Sequence, residues 1–498
     1  DNLKRFMVLF SPAAGMNISL EEAMSSDAAT TMGGLLGVLG TRFCFTDGAH
    51  AFRERVLEWL PGRLGPVKLG QIALQTIASP YMHCSYATTP RKHDIKAEFI
   101  AQMRRACLET GCPEYDPARP PTPRTKPTII VATENFSFGH SVHRTHSRAV
   151  KALRERFHVV GTGYASQLTA EVAPCFDEII HYPTDGASFT ETVRQLAEQI
   201  RAHDPVMVFH LGVGMSPHVI ALASLRLAPV QAASFGHTAT TRSPVIDFMM
   251  LPDDFVGDPA CFSETLALVP AAAMPYQPRG DVDFKAVMAA SDATRAARPA
   301  GAPVKIAVAA SAMKLSPPFF DALARSQAAA RSTLEFHLFP LGCAGLGYEE
   351  LKRRLGLRLP FVVVHEEQAY PLYMERLAAC DFFVCPFPYG NMNSIIDAVL
   401  VGLPGVCLDG PEAHAHADVA YFERMGFPDG LATNSPDAYV AAIARLADDP
   451  QWLMRCREAA RAVDLHKVFF SGDESLFVAK VEALIAAGPN SARGRSLT

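Results

Sequence analysis

Three patterns of apolar and polar positions follow one another along the chain. Over residues 1–110 apolar residues recur three and four apart with charges between them, as in AFRERVLEWLPGRL (51–64) and DIKAEFIAQMRRACLE (94–109). That spacing predicts amphipathic helices. CPEYDPARPPTPRTKPT (112–128) then carries six prolines. It fits an extended linker, since proline leaves neither regular helix nor central strand. From 128 onward short β-branched runs alternate with helical stretches. TIIVATE, HVVGTGY, EIIHY, VMVFHL, VQAASFG and FMMLPDD are interleaved with RAVKALRERF, FTETVRQLAEQIRAH and PHVIALASLRLA. A polar Pro- and Gly-containing stretch follows at 271–303, and the rhythm resumes in VKIAVAAS, EFHLFPLG, FVVVHEE, DFFVCPFP and PGVCLD. Such alternation predicts βαβ units and parallel sheets. The expected organisation is an all-helical domain with its Pro-rich linker over 1–127, a Rossmann-like domain over 128–285 and a second one over 286–498.

Length agrees, since 498 residues suggest about three domains. The net charge of −5 argues against a broad electrostatic grip on nucleic acid. Eleven dispersed cysteines, an odd count without a CxxC pair, predict reduced thiols and a cytoplasmic location. The longest apolar candidate, HVIALASLRLAPVQAASF, is broken by Arg226 and Pro229, so no membrane span is expected. DNLKRFMVLFSP reads as a poor signal peptide.

In doubly wound sheets ligands bind beyond the carboxyl ends of the strands, so the residues after each strand carry the chemistry. After VMVFHL, Gly212 and Gly214 allow a close turn, Ser216 fits a helix N-cap and Pro217 the first helical position. After VQAASFG, His237 stands among Thr238, Thr240, Thr241 and Ser243. A histidine there can donate to phosphate or take a proton near neutral pH, although a lone loop histidine is more often a surface residue. After VKIAVAAS, Lys314 is either a surface lysine or a diphosphate partner. A charge pair at roughly 4 Å is worth about 1 kcal/mol in water and about 4 kcal/mol at an effective dielectric near 20, so a closed site would be needed. After DFFVCPFP, the stretch GNMNSIID offers Gly390 for a tight approach and Asn391 or Asn393 as helix cap. Exposed amides at that helix start would suit a phosphate, and Asp397 one turn on could accept from ribose hydroxyls. A plain capped helix fits equally well.

Glu412, His414, His416 and Asp418 cluster tightly but lack a clear metal register. His140, His143 and His146 read as polar lining of a cleft. The DxD pair Asp281 and Asp283 falls in the inter-domain stretch, away from a strand end, so no metal site is expected.

CSYATTPRKHDIK (84–96), HSVHRTHS (140–147), LAPVQAASFGHTATTRS (227–243), DDFVGDPACFSETL (253–266), AMKLSP (312–317) and FPYGNMNSIIDAVLVGLPGVC (387–407) occur in this order. Together they resemble the bacterial cytoplasmic N-glycosyltransferases that modify high-molecular-weight adhesins, in glycosyltransferase family 41, relatives of protein O-GlcNAc transferase. The resemblance runs from about residue 50 to about 485. It implies an α/β GT-B fold of two Rossmann-like domains behind an all-α domain. It also implies inverting, metal- and cofactor-independent transfer of a hexose, typically glucose, from UDP-hexose to asparagine in an Asn-X-Ser/Thr sequon of an adhesin-like polypeptide. By the same resemblance Lys314 and Asn393 bind the diphosphate, with Gly390 and Asn391 beside them, Asp397 serves the ribose and His365 contacts the nucleotide. His237 is needed for activity and is placed with Lys314 in the catalytic set. His140, His146 and Gly212 are assigned to the acceptor side. Cys343 stands where the family commonly has a glutamine near the sugar, which bears on hexose choice. The helical domain is shorter than the family's. An O-linked protein glycosyltransferase and a catalytically silent UDP-sugar-binding or partner-binding homologue are the alternative readings.

Overall fold

The computed structural model describes residues 2–41, 44–118, 125–184, 188–279, 282–359 and 361–489. They form two compact units: residues 2–41, 52–278 and 469–489 in the first, and 44–51 and 279–468 in the second. This differs from the expected three domains. The N-terminal helices pack onto the first sheet's helices as one body. Helix Asp94–Glu109, for example, buries Ile95, Phe99, Ile100, Met103 and Cys107 on one face and packs against helices Phe189–Ala202 and Pro217–Leu222. The expected domain 286–498 does not run to the end either. Helix Ser475–Ala487 packs on helix Ser141–Leu153, where Arg148 donates to the Glu474 carboxylate at 2.7 Å. Part of the Pro-rich linker, residues 119–124, and Asp281 of the DxD pair lie outside the described residues.

The first unit holds seven parallel strands: β1 (Thr128–Ala132), β2 (His158–Gly163), β3 (Glu178–His181), β4 (Met207–His210), β5 (Val230–Ser234), β6 (Phe248–Pro252) and β7 (Thr265–Val269), in the order β3-β2-β1-β4-β5-β6-β7. The second holds six: β8 (Val304–Val308), β9 (Leu334–Leu338), β10 (Val362–Val364), β11 (Phe382–Val384), β12 (Gly405–Leu408) and β13 (Ala432–Thr433), in the order β10-β9-β8-β11-β12-β13. Strands β1, β4, β5 and β6 are buried throughout, as expected of a sheet covered by helices on both faces. The sequence pattern missed β7 and the two-residue β13. The helix expected from PHVIALASLRLA is only Pro217–Leu222. Among the described residues no helix is long and apolar enough to cross a membrane.

In both sheets the strand order reverses between the first strand and the fourth. Lys314 follows β8 and the Gly390–Asp397 stretch follows β11, so both reach the same reversal point in the second unit. In the first unit Glu134 follows β1 and the Gly212–Ser216 loop follows β4.

Candidate active site

In the second unit the chain leaves β8 through a single 3₁₀ turn, Ala312–Lys314. Ser316, whose hydroxyl accepts from the Phe319 amide, and Pro317 at the first helical position then start helix Pro317–Ala329. This turn aims Lys314 at the loop after β11, where Nζ donates to the Gly390 carbonyl at 2.5 Å and stands 5.1 Å from the Tyr389 ring centre. Burial lowers the Lys314 pKa to about 8, and the nearby Asp418 carboxylate opposes the shift.

Asp418, on helix Ala413–Arg424, shapes that loop. Its buried carboxylate accepts from the Asn391 amide at 2.7 Å and the Met392 amide at 2.8 Å. Desolvation raises the Asp418 pKa, while the two amides and Lys314 hold it down. A Cβ on Gly390 would lie 2.5 Å from an Asp418 carboxylate oxygen, so only glycine fits here. Met392, at φ 50°, occupies the N-cap position of helix Asn393–Leu400. Neither asparagine caps the helix, contrary to the capped reading. The backbone amides of Asn393 and Ser394 open the helix, where no carbonyl one turn earlier can receive them. The side-chain oxygens of Asn391 and Asn393 are buried without a hydrogen-bond partner. The lysine and the helix-start amides, all donors, fit a diphosphate.

One turn on, the buried Asp397 accepts from the Tyr370 hydroxyl at 2.9 Å. His365 follows β10 and stacks on Phe339 with ring centres 4.5 Å apart and planes 7° apart. Desolvation takes its pKa down to about 4. The Cys343 side chain is fully buried.

The remaining members of the acidic and histidine cluster have separate tasks. His414 stacks on Tyr389 at 4.3 Å and meets the Glu412 carboxylate, whereas His416 Nδ1 lies 2.8 Å from Asp409.

In the first unit His237 is buried rather than a surface loop residue. Its Nε2 lies 3.1 Å from the Ser85 hydroxyl and 3.5 Å from Lys96 Nζ, and His93 Nε2 lies 3.1 Å from the same hydroxyl. Lys96 is wholly buried, donates to the Thr240 carbonyl at 3.0 Å and lies 4.8 Å from the Tyr81 ring centre. Gly212 and Gly214 serve close packing. A Cβ on Gly212 would lie 2.7 Å from the His237 amide nitrogen, and one on Gly214 3.0 Å from the His237 ring. Ser216 holds the N-cap position, but its side chain makes no capping bond. The buried Glu134 carboxylate instead accepts from the Gly214, Met215 and Ser216 amides at 2.9, 3.0 and 2.9 Å.

The three histidines of HSVHRTHS do not share a cleft wall. His140 precedes the helix and caps it, accepting from the Val142 amide at 3.3 Å. His143 packs against Phe136 and Phe138. His146 is fully buried, with Nε2 3.0 Å from the Ser234 hydroxyl and a pKa that burial lowers to about 3.

Sequence reasoning assigned no role to Ser85, His93, Lys96, Glu134, Tyr370 or Asp418. The first three lie in CSYATTPRKHDIK, which was already among the shared motifs and was the available signal.

Residues 21–107 match the family model described as HMW1 domain 2. The chain is 32% identical over 494 residues to the UDP-glucose:protein N-beta-glucosyltransferase of Actinobacillus pleuropneumoniae serotype 5b, covering 97% of this chain and 78% of that protein. The same figures hold for the serotype 7 protein of that name. The chain belongs to the high-molecular-weight-adhesin type of N-glycosyltransferase in glycosyltransferase family 41. A solved point mutant of the Thermobaculum terrenum O-GlcNAc transferase is similar in fold, with a TM-score of 0.65 at 18% identity over 93% of this chain and 85% of that one. The fold of this N-glycosyltransferase family member is thus GT-B, with a helical N-terminal region.

Proposed function

We propose that this protein transfers glucose from UDP-glucose to the side-chain nitrogen of asparagine in an Asn-X-Ser/Thr sequon of an adhesin-like polypeptide, in the cytoplasm. The observation that carries the reading is the reversal point of the second sheet. There Lys314 donates to the Gly390 carbonyl, and the helix that opens with the Asn393 and Ser394 amides begins three residues on. The relatives' printed activity supports UDP-glucose as the donor and a protein nitrogen as the acceptor.

In the proposed reaction the asparagine nitrogen attacks C1 of the glucose and loses one of its two protons to water, the bond from C1 to the diphosphate oxygen breaks, and UDP departs with the electron pair. Displacement at an α-linked donor gives a β-linked product, which is inversion. Lys314 and the helix amides stabilise the charge developing on UDP, a role that a divalent metal could otherwise fill. Asp397, held by Tyr370, serves the ribose, and His365 contacts the nucleotide. His237 contributes to activity from the end of β5.

Incubation with UDP-[14C]glucose and a sequon peptide tests this. Label is expected in the peptide with and without EDTA, and none in a peptide with glutamine for the asparagine. No label with several UDP-hexoses would overturn the proposal.

A further inference from the structure

Along β9 and just past it, Glu335, His337 and Phe339 alternate, so all three share one face. The adjacent β10 ends so that the His365 amide donates to the Leu338 carbonyl at 2.9 Å, which places His365 beside that face. Four side chains then form one hydrogen-bonded row. Arg376 Nη1 lies 3.1 Å from His365 Nδ1, His365 Nε2 lies 3.1 Å from His337 Nδ1, and His337 Nε2 lies 2.6 Å from a Glu335 carboxylate oxygen.

Chemistry permits one direction along the row. A guanidinium only donates, so His365 Nδ1 accepts and its proton sits on Nε2. That proton is donated to His337 Nδ1, whose own proton on Nε2 goes to the carboxylate. Burial favours the neutral form of both rings, as this arrangement requires. With both nitrogens engaged, the His365 ring is fixed nearly parallel to Phe339. Phe339 in turn packs edge-on against Tyr373 at 5.5 Å, and Tyr373 lies 5.9 Å from Tyr370, which donates to Asp397.

We propose that Glu335 and His337 are positioning residues for the nucleotide site, holding His365 in a single tautomer and ring plane. This rests on the placement of His365 at that site in the proposed function. A fixed ring lowers the ordering cost when the nucleotide arrives, so the effect should fall on donor binding more than on turnover.

The test uses the full chain with His337→Phe, Glu335→Leu, Glu335→Gln and His365→Ala, each confirmed folded by thermal melting. His337→Phe and Glu335→Leu should raise the KM for UDP-glucose by about tenfold. Their kcat should stay within about twofold. Glu335→Gln should retain near-parent KM, because its carboxamide oxygen still accepts from His337. Nitrogen-15 NMR should place the His365 proton on Nε2 in the parent and show mixed tautomers in His337→Phe. Parent-like KM and an unchanged tautomer in both His337→Phe and Glu335→Leu would overturn the positioning role if His365→Ala itself weakens UDP binding. If His365→Ala also binds UDP normally, what fails is the placement of His365 in the donor site.

Discussion

The two sheets share a strand order through their first six strands, and each sets a buried carboxylate against the loop after its fourth strand. In the first unit Glu134 accepts three consecutive amides, Gly214 to Ser216, leading into a helix of only six residues. The chain's own anion therefore fills the position where a phosphate could bind. In the second unit Asp418 accepts from the Asn391 and Met392 amides, again ending at the N-cap residue, but helix Asn393–Leu400 opens on Asn393, which has an amide to donate, where the first unit's helix opens on Pro217, which has none. Each site also has a lysine. Both donate to a backbone carbonyl, Lys96 to that of Thr240 and Lys314 to that of Gly390, but Lys96 is fully buried whereas Lys314 is only partly covered. Similar topology thus gives a helix start that can donate from its first residue in the second unit and one that cannot in the first, according to the residue that opens each helix.

The sharpest way to break this contrast is Lys314→Ala. It should lower kcat/KM by about a hundred- to a thousand-fold, the usual consequence of removing one donor to a developing anion. Calorimetry should show the accompanying loss of UDP affinity. In the first unit Glu134→Ala leaves three amides unpaired and should cost about 3 kcal/mol of stability, read by denaturant unfolding. UDP affinity should remain at the parent value. Gly390→Ala forces a methyl group against Asp418 and should weaken UDP binding by about tenfold, by shifting the loop.

The smallest effect concerns pH. Burial has lowered the Lys314 pKa to about 8, and UDP needs the charged form. Affinity should be full below pH 8 and decline above it. Stability of the ligand-free protein runs the other way. Between about pH 8 and the ordinary lysine value the unfolded chain binds more protons at this residue, so its contribution to stability rises with pH. Calorimetric titrations across pH 7–9.5 and unfolding curves over the same range measure both slopes.

Much of the second unit's site was legible because it depends on local order. Short buried strands and their termini are visible in the apolar pattern, and Lys314, Asn393 and Asp397 fall directly after two of those termini. What the pattern could not show were contacts made far along the chain. Glu134 meets amides 80 to 82 residues away, and Asp418 meets amides 26 and 27 residues away. These two residues hold the loops that lead into the two helices. Ser216 suited a cap by type and position, yet its side chain makes no capping bond and its own amide donates to Glu134. Cys343 was placed by resemblance, and local sequence does not report that its side chain is fully buried. The strands β7 and β13 were missed because one follows a loop-rich segment and the other is too short to show a period.

A crystal structure of the protein with UDP tests the central claim most directly. The account predicts the diphosphate within hydrogen-bond distance of Lys314 Nζ and of the Asn393 and Ser394 amides, with the Glu134 bonds to Gly214–Ser216 intact. Phosphates bound at Gly214–Ser216 with Glu134 displaced, or away from Lys314 altogether, would contradict it.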